Sequence, residues 1–322
     1  MRIFVTGGAG FIGSNFVRHV VETSDDEVTV FDALTYAGNV ATLDGVLDGS
    51  RVRLVEGDIT DRSAVERALP GHDAVVHFAA ETHVDRSLLG PDVFVRTNCD
   101  GTNVLCDLAR QHGIERFLHV STDEVYGSIE VGSFTEDDRL RPRSPYSASK
   151  AGSDLIAMAY FETHELPVLI TRSSNQFGPY QFPEKLIPYF TTSLLQGRQV
   201  PLYGDGLHVR DWLHVRDNCR ALDLVLRSGT PGEIYNVGSA SERTNRAVVD
   251  ELLGLLGLDE RRIDHVEDRL GHDRRYSVHS DKVRSLGWTP QRSFSEALGE
   301  TVAWYQGNQA WWEPLRARVR NR

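Results

Sequence analysis

Lysine is nearly missing from this chain. Of the 35 Lys and Arg residues in 322, only Lys150, Lys185 and Lys282 are lysines. Lysine is normally among the commonest residues, and a general drift toward Arg accounts for most of the imbalance. Where Arg can replace Lys freely it has done so, which makes each remaining lysine worth inspecting. Cysteine is scarce as well. Cys99, Cys106 and Cys219 form no C-x-x-C pair, so there is no disulfide framework and reduced thiols are expected. No apolar run is long enough to cross a bilayer. The first residues lack the basic and apolar regions of a signal peptide, which makes the cytoplasm the expected location. Repeats and low-complexity linkers are also missing. Positive charge is in deficit, with 35 basic against 46 acidic residues and a net charge of −11. That balance speaks against a general partner of nucleic acid or of anionic membranes. It leaves room for one small anion in a local Arg-lined cleft.

What is present is an ordinary globular composition, 40% hydrophobic and 25% charged, enough for one large or two modest domains. Short β-branched runs predict strands at Ile3–Thr6, Glu27–Phe31, Val52–Glu56, Ala74–His77, Arg116–Ser121 and Val168–Thr171. Amphipathic stretches predict helices at Phe11–Val21, Ser63–Leu69, Val93–His112 and from about Tyr146. Continuous apolar strands alternating with helices imply a Rossmann-type, doubly wound parallel α/β sheet. From about Asn175 the rhythm changes, and Gly, Pro and aromatic residues thicken through Gln176–Pro183. Residues 1–174 read as a dinucleotide-binding domain and 175–322 as a smaller mixed α/β substrate lobe, with strand exchange possible across the boundary. Helices are expected there at Arg216–Arg227, Thr244–Leu256 and Phe294–Tyr305. The basic tail from Arg316 to Arg322 reads as a solvated terminus.

The first strand runs into Gly7-Gly8-Ala9-Gly10-Phe11-Ile12-Gly13, with Gly7, Gly10 and Gly13 spaced G-x-x-G-x-x-G. A strand-to-helix turn of this kind lets a pyrophosphate reach backbone N–H groups, while the helix points its positive end at the phosphates. The next strand ends at Asp32, where a carboxylate takes ribose hydroxyls and repels a 2′-phosphate; NAD is therefore expected over NADP. Asp58 and Ile59 follow the third strand, at the adenine edge. Phe78-Ala79-Ala80 follow the fourth, with small residues where backbone approaches the cofactor.

Tyr146 and Lys150 stand at i and i+4 and share a helix face. A phenol of pKa about 10 is a poor base at neutral pH, and a nearby ammonium and a positive nicotinamide ring both favour the phenolate. The same lysine can hold the nicotinamide ribose. With the glycine loop, this pair resembles the extended branch of the short-chain dehydrogenase/reductase superfamily.

Val120-Ser121-Thr122-Asp123-Glu124 ends the strand predicted beside the nicotinamide. Alcohol oxidation needs one proton acceptor, whereas elimination of water needs an acid for the leaving hydroxyl and a base for the α-proton. Adjacent carboxylates let both coexist, because like charges push one pKa up. Thr122 is left to hold the oxygen that becomes a carbonyl.

With this triplet the sequence is similar to the dTDP-glucose 4,6-dehydratase family, a likeness also carried by Asp32–Asn39, Ala80–Ser87, Gly178–Pro188 and Gly271–Tyr276. The resemblance implies an internal redox cycle on a nucleotide sugar, with NAD tightly bound and regenerated at each turnover. Tyr146 takes the C4 hydroxyl proton as C4 is oxidised, Glu124 removes the C5 proton, and Asp123 protonates the departing C6 hydroxyl. Hydride then returns to C6 and a proton to C5, giving dTDP-4-keto-6-deoxyglucose. It further implies Leu34, Thr35, Thr97 and Gln176 at the cofactor, beside Phe11 and Ile12. At the nucleotide sugar it implies Thr82, Thr122, Asn175, Lys185, Leu186, Pro201, Tyr203, Arg210, Asn245, Arg269, His272 and Tyr276. Arg forks and amide donors suit a diphosphate, and an aromatic wall suits a base. A homodimer is implied, through helices near 93–112 and 146–163. Ala33, Ser173 and Gln176 depart from the family's common Lys, Cys and Asn. The histidines show no metal-ligand spacing, and no metal is expected. Other nucleotide-sugar dehydratases, a 4-epimerase and a catalytically silent NAD-binding regulator remain as alternatives.

Overall fold

A computed structural model describes residues 1–268 and 272–319. Arg269 and the last three residues of the basic tail, Arg320–Arg322, lie outside the described residues. Strands β1 (Arg2–Thr6), β2 (Glu27–Asp32), β3 (Val52–Glu56), β4 (Ala74–His77), β5 (Arg116–Thr122) and β6 (Val168–Ser173) match the sequence expectation to within two residues at each end. Three short strands follow: β7 (Asn175–Phe177), β8 (Val200–Tyr203) and β9 (Val209–His214). The last three are β10 (Ile234–Val237), β11 (Glu242–Thr244) and β12 (Ile263–Val266).

One sheet of seven strands carries the fold, in the order β10-β6-β5-β4-β1-β2-β3, and every neighbouring pair is parallel. Its outermost strand, β10, comes from beyond residue 175, so the chain returns to the first sheet after entering the second lobe. Successive strand residues face opposite sides of the sheet, and here both sides are covered. Ile3, Val5, Val28 and Val30 meet helices α1 (Phe11–Thr23) and Val215–Ser228 on one face. Phe4, Phe31, Val75, Phe117 and Ile170 meet Arg62–Ala68 and Gly101–Gln111 on the other.

The helix expected over Val93–His112 is broken. A short turn, Asp92–Val95, passes through a π-helical turn, Arg96–Asp100, before the α-helix Gly101–Gln111 begins. The π turn directs Asn98 inward, where its amide bonds both backbone groups of Glu81 and the Ser149 hydroxyl. Such insertions leave the 3.6-residue period nearly intact, so periodicity does not reveal them.

A second apolar cluster, including Phe177, Ile187, Phe190, Trp212, Leu252 and Leu298, holds the smaller lobe together. Two small sheets lie there, β11-β9-β7 and β12-β8. Lys282, expected at the surface, is instead half-buried. It pairs with Glu233 and lies 5.2 Å from the Tyr235 ring, bracing the β10 edge. Among the described residues no helix is long and apolar enough to cross a membrane.

Helix α2 (Pro145–His164) packs along β5 and β6. Ser144 and Ser147 form a reciprocal capping box and Pro145 opens the first turn, which fixes where the helix starts. Deeper in the helix, Asp154 receives Arg172 Nε of β6 at 2.9 Å, with both side chains buried. Arg172→Met strands that carboxylate, and removing one partner of a buried pair costs about 3–5 kcal/mol. Urea unfolding of the variant is expected to show a loss of that size; a loss below about 1 kcal/mol would mean the pair does not pin the helix.

Candidate active site

The strand order reverses between β1 and β4, and the predicted cofactor residues gather at the carboxyl ends of the strands around that point. Gly7 has φ of +68°, and a Cβ there would lie 2.6 Å from the Ala79 nitrogen. A Cβ on Gly13 would lie 2.4 Å from the Gly7 carbonyl oxygen. Gly10 caps helix α1 without a side-chain bond, and no acid lies in the first turn with Phe11 and Ile12. The positive helix end therefore meets no competing anion from its own first turn.

Asp32 is buried and accepts N–H bonds from Ala9 at 2.9 Å and Leu34 at 2.8 Å. Burial raises its carboxyl pKa, and the two N–H bonds oppose that rise. Leu34 adopts φ of +48° in this turn, while Thr35 is exposed. Phe78 and Ala79 are fastened to Thr6, whose carbonyl and hydroxyl take their N–H groups. Ala80 lies just beyond them, half-buried, and Thr97 stands in the π turn. Asp58 spends one oxygen on Thr60, and Ile59 is buried in the core beneath Gly101.

At the end of β5, Thr122 caps a 3₁₀ turn, Asp123–Tyr126, and its hydroxyl accepts the Glu124 N–H at 3.2 Å. Gly127 closes the turn at φ of +84°, where a Cβ would meet the Arg141 carbonyl at 2.5 Å. Asp123 is 2% exposed, and its Oδ2 has no hydrogen-bond partner among the described residues. Burial raises the Asp123 carboxyl well above the ordinary range; Glu124 and Asp211 add to the rise and Arg210 opposes it. Glu124 is half-buried at the same turn.

Tyr146 sits in the first turn of α2, buried, and the Thr122 side chain works to lower its phenol pKa. Burial raises the phenol pKa, and the Glu124 charge raises it further. Lys150 is buried too, and its Nζ donates to the Val120 carbonyl at 2.9 Å. Burial pushes the ammonium down to about 8, against the pull of Asp154.

Most residues expected at the nucleotide sugar, and Gln176 expected at the cofactor, lie beyond residue 174. Asn175 Oδ1, Gln176 Oε1 and Asn245 Oδ1 are buried without hydrogen-bond partners among the described residues. A buried amide oxygen without a donor is costly, and a polar ligand could supply one at each. Lys185 Nζ bonds the Thr82 carbonyl at 2.8 Å, linking the two lobes, and Leu186 opens the next helix. Arg210 lies 4.5 Å from the Tyr276 ring centroid and bonds the Asp273 carbonyl. The Tyr276 hydroxyl donates to Asp273 at 2.6 Å, and Glu124 helps raise its pKa. Pro201 and Tyr203 stand on β8, half-buried. Folding also joins residues that spacing kept apart. His208 and His272 stack at 3.6 Å, the Asp268 carboxylate reaches a nitrogen of each ring at 3.2 and 2.6 Å, and the three donor atoms lie within 4.8 Å of one another.

Sequence reasoning missed several groups at this site. Asp154 follows Lys150 by one helical turn, a spacing that was available, and it pairs with His119 as well as Arg172. Burial raises Asp154, but His119 and Arg172 bring it down to about 2. Asp211 takes three bonds from Ser239 and Ser241 and adds charge near Asp123. Asn98 carried no local signal, because its three bonds are all to distant segments.

Comparisons with known proteins agree with this geometry. A family model described as GDP-mannose 4,6 dehydratase matches residues 4–301. The dTDP-glucose 4,6-dehydratase of Streptomyces antibioticus is 53% identical, over 99% of this chain and 96% of the relative. The low-salt glycan biosynthesis protein Agl12 of Haloferax volcanii is also 53% identical, over 96% of this chain and 99% of the relative. The crystal structure of DesIV, a dTDP-glucose 4,6-dehydratase from Streptomyces venezuelae with NAD and TYD bound, superposes with a TM-score of 0.96. It is 55% identical and covers 98% of this chain and 100% of its own. The chain belongs to the dTDP-glucose 4,6-dehydratase family of extended short-chain dehydrogenases/reductases.

Proposed function

We propose that this protein is an NAD-dependent hydro-lyase that converts dTDP-glucose to dTDP-4-keto-6-deoxyglucose. The observation that carries the reading is a buried acid, Asp123, its carboxyl pKa raised well above the ordinary range, beside a second carboxylate, Glu124, at the end of the strand against which Tyr146 and Lys150 pack. The glycine cradle, Asp32 and the unpartnered Gln176 oxygen fit a dinucleotide. NAD, when bound there, supplies a hydride acceptor for C4 and a hydride donor for C6. Tyr146 receives the proton of the C4 hydroxyl, and Thr122 holds that oxygen as it becomes a carbonyl. The ketone acidifies C5, and Glu124 takes the C5 proton. Asp123 gives its proton to the C6 hydroxyl, which leaves as water, and Glu124 returns its proton to C5 as hydride reaches C6. Lys150 orients the cofactor ribose, while Asn175, Lys185, Leu186, Pro201, Tyr203, Arg210, Asn245, His272 and Tyr276 hold the nucleotide and sugar. Arg269 joins them in this reading, although it lies outside the described residues.

Three cysteines without a disulfide agree with a cytoplasmic enzyme. Exposed Leu88, Leu89, Val93, Val95 and Leu155 offer an apolar face for a homodimer. Sizing chromatography with light scattering is expected to give twice the 36.0 kDa chain mass, and a stable monomer would exclude the dimer.

Purified protein given dTDP-glucose without added NAD is expected to release a product lighter by one water. Conserved mass would indicate epimerisation instead. Asp123→Asn with Glu124→Gln is expected to slow dehydration by at least about 100-fold. C4 oxidation should persist and appear as reduced cofactor absorbance; normal turnover of the double variant would refute the assigned roles.

Lys150 contributes its charge only while protonated, and its pKa is lowered to about 8. The charged form is therefore lost as pH rises through that value. A kcat/KM profile is expected to decline above about pH 8. A profile that stays level to pH 10 would show that the charge is not required.

A further inference from the structure

Three of the sequence motifs contribute side chains that the proposed reaction does not use, and the structure brings those side chains together. Tyr36 follows Asp32 on the loop after β2. His83 and Arg86 follow Phe78-Ala79-Ala80 after β4. Glu184 lies between β7 and the helix Leu186–Leu195 of the second lobe. The Arg86 guanidinium lies 3.5 Å from the Tyr36 ring centroid. The Tyr36 hydroxyl donates to Glu184 Oε1 at 3.0 Å, and His83 Nε2 stands 3.9 Å from Glu184 Oε2. Phe182 closes on Tyr36 edge-to-face at 5.6 Å.

The position of this cluster gives it meaning. Strand β1 lies between β2 and β4, so the loops after β2 and β4 flank the glycine loop on either side. Arg86 over Tyr36 joins those two flanks, and Glu184 ties the second lobe to the junction. The strap is anchored at its base. Asn39 N–H bonds the Ala9 carbonyl in the glycine loop, and a Cβ on Gly38 would lie 2.8 Å from Asp32 Oδ1. Asn15 of helix α1 bonds the Pro179 carbonyl at 3.0 Å, and Arg18 lies 4.5 Å from the Tyr180 ring centroid. A Glu184 side chain 11% exposed and held by a neutral phenol and an imidazole is a made contact, not a loose surface pairing.

We propose that Tyr36, Arg86 and Glu184 form a strap across the dinucleotide cleft that retains NAD between turnovers. The proposal rests on the reading of NAD as a resident cofactor. An enzyme that recovers its cofactor in each cycle needs slow dissociation more than fast association, and a closure linking three separate loops acts on dissociation. These residues act through the loops they tie, so they are positioning residues, distinct from Asp32 and the glycine cradle.

The test is exchange of bound for isotopically labelled NAD by the full-length protein, followed by mass spectrometry of the released dinucleotide. Tyr36→Phe removes one hydrogen bond and keeps the ring. Arg86→Ala alters an exposed side chain and keeps the fold if Tyr36→Phe does not. Both are expected to exchange NAD about ten-fold faster than the unaltered chain, through the loss of a partly buried contact. Both should also carry less NAD after desalting and regain turnover when excess NAD is added. Exchange at the unaltered rate with full NAD content would overturn the strap. So would a raised KM for dTDP-glucose with NAD retention intact, which would assign the cluster to the sugar mouth. Exchange needs no sugar substrate, so failure of the unaltered chain to dehydrate dTDP-glucose would refute the reaction and leave the strap result standing.

Discussion

Asp123 is 2% exposed, shares its turn with Glu124, and has an oxygen to which no described residue donates. Water is kept from that oxygen by the way the sheet is built. Parallel strands covered on both faces send their connections to the two ends, and the reversal between β1 and β4 leaves a crevice at the carboxyl end. The second lobe closes over that crevice. Desolvation there favours the neutral form of every ionisable group, which raises Asp123 and Tyr146 and lowers Lys150. The same physical effect thus prepares an acid and threatens a needed cation.

The chain manages that conflict with a second tier of charges behind the site. Asp154, one turn after Lys150, keeps a negative charge in the interior because Arg172 bonds it and His119 lies close by, which lower its pKa against burial. It supports the lysine's charge against burial. His119, pushed down to about 4, stays neutral beside it. Tyr126 and Asn236 extend the network from Arg172 to strand β10, so the strand that returns from beyond residue 175 also holds the network in place. The Asp154–Arg172–Tyr126–Asn236 chain of bonds links the sheet edge to the catalytic helix.

Much of this was legible in the primary structure. The first six strands, the glycine loop and Asp32 follow from local patterns, because β-branched runs, turn glycines and a carboxylate at a strand end act over a few residues. The break at Arg96–Asp100 was not legible, since a π turn barely alters the period. Lys282 belongs to an ion pair at a strand edge, and its partner lies 49 residues away. The stacked pair of His208 and His272 escaped spacing arguments because 64 residues separate the rings in sequence.

The residues themselves determined the parallel α/β class, the dinucleotide cradle and the presence of an acid, a base, a phenol and an ammonium, since each is a matter of residue type at short range. Tertiary structure decided which of those groups is dry and what faces it. It placed the Lys150 ammonium on the Val120 carbonyl, buried amide oxygens of Asn175, Gln176 and Asn245 without donors among the described residues, and joined Tyr36, Arg86 and Glu184 from three loops. Protonation and contact depend on neighbours within a few ångströms, and in a doubly wound sheet those neighbours come from strands far apart in the chain.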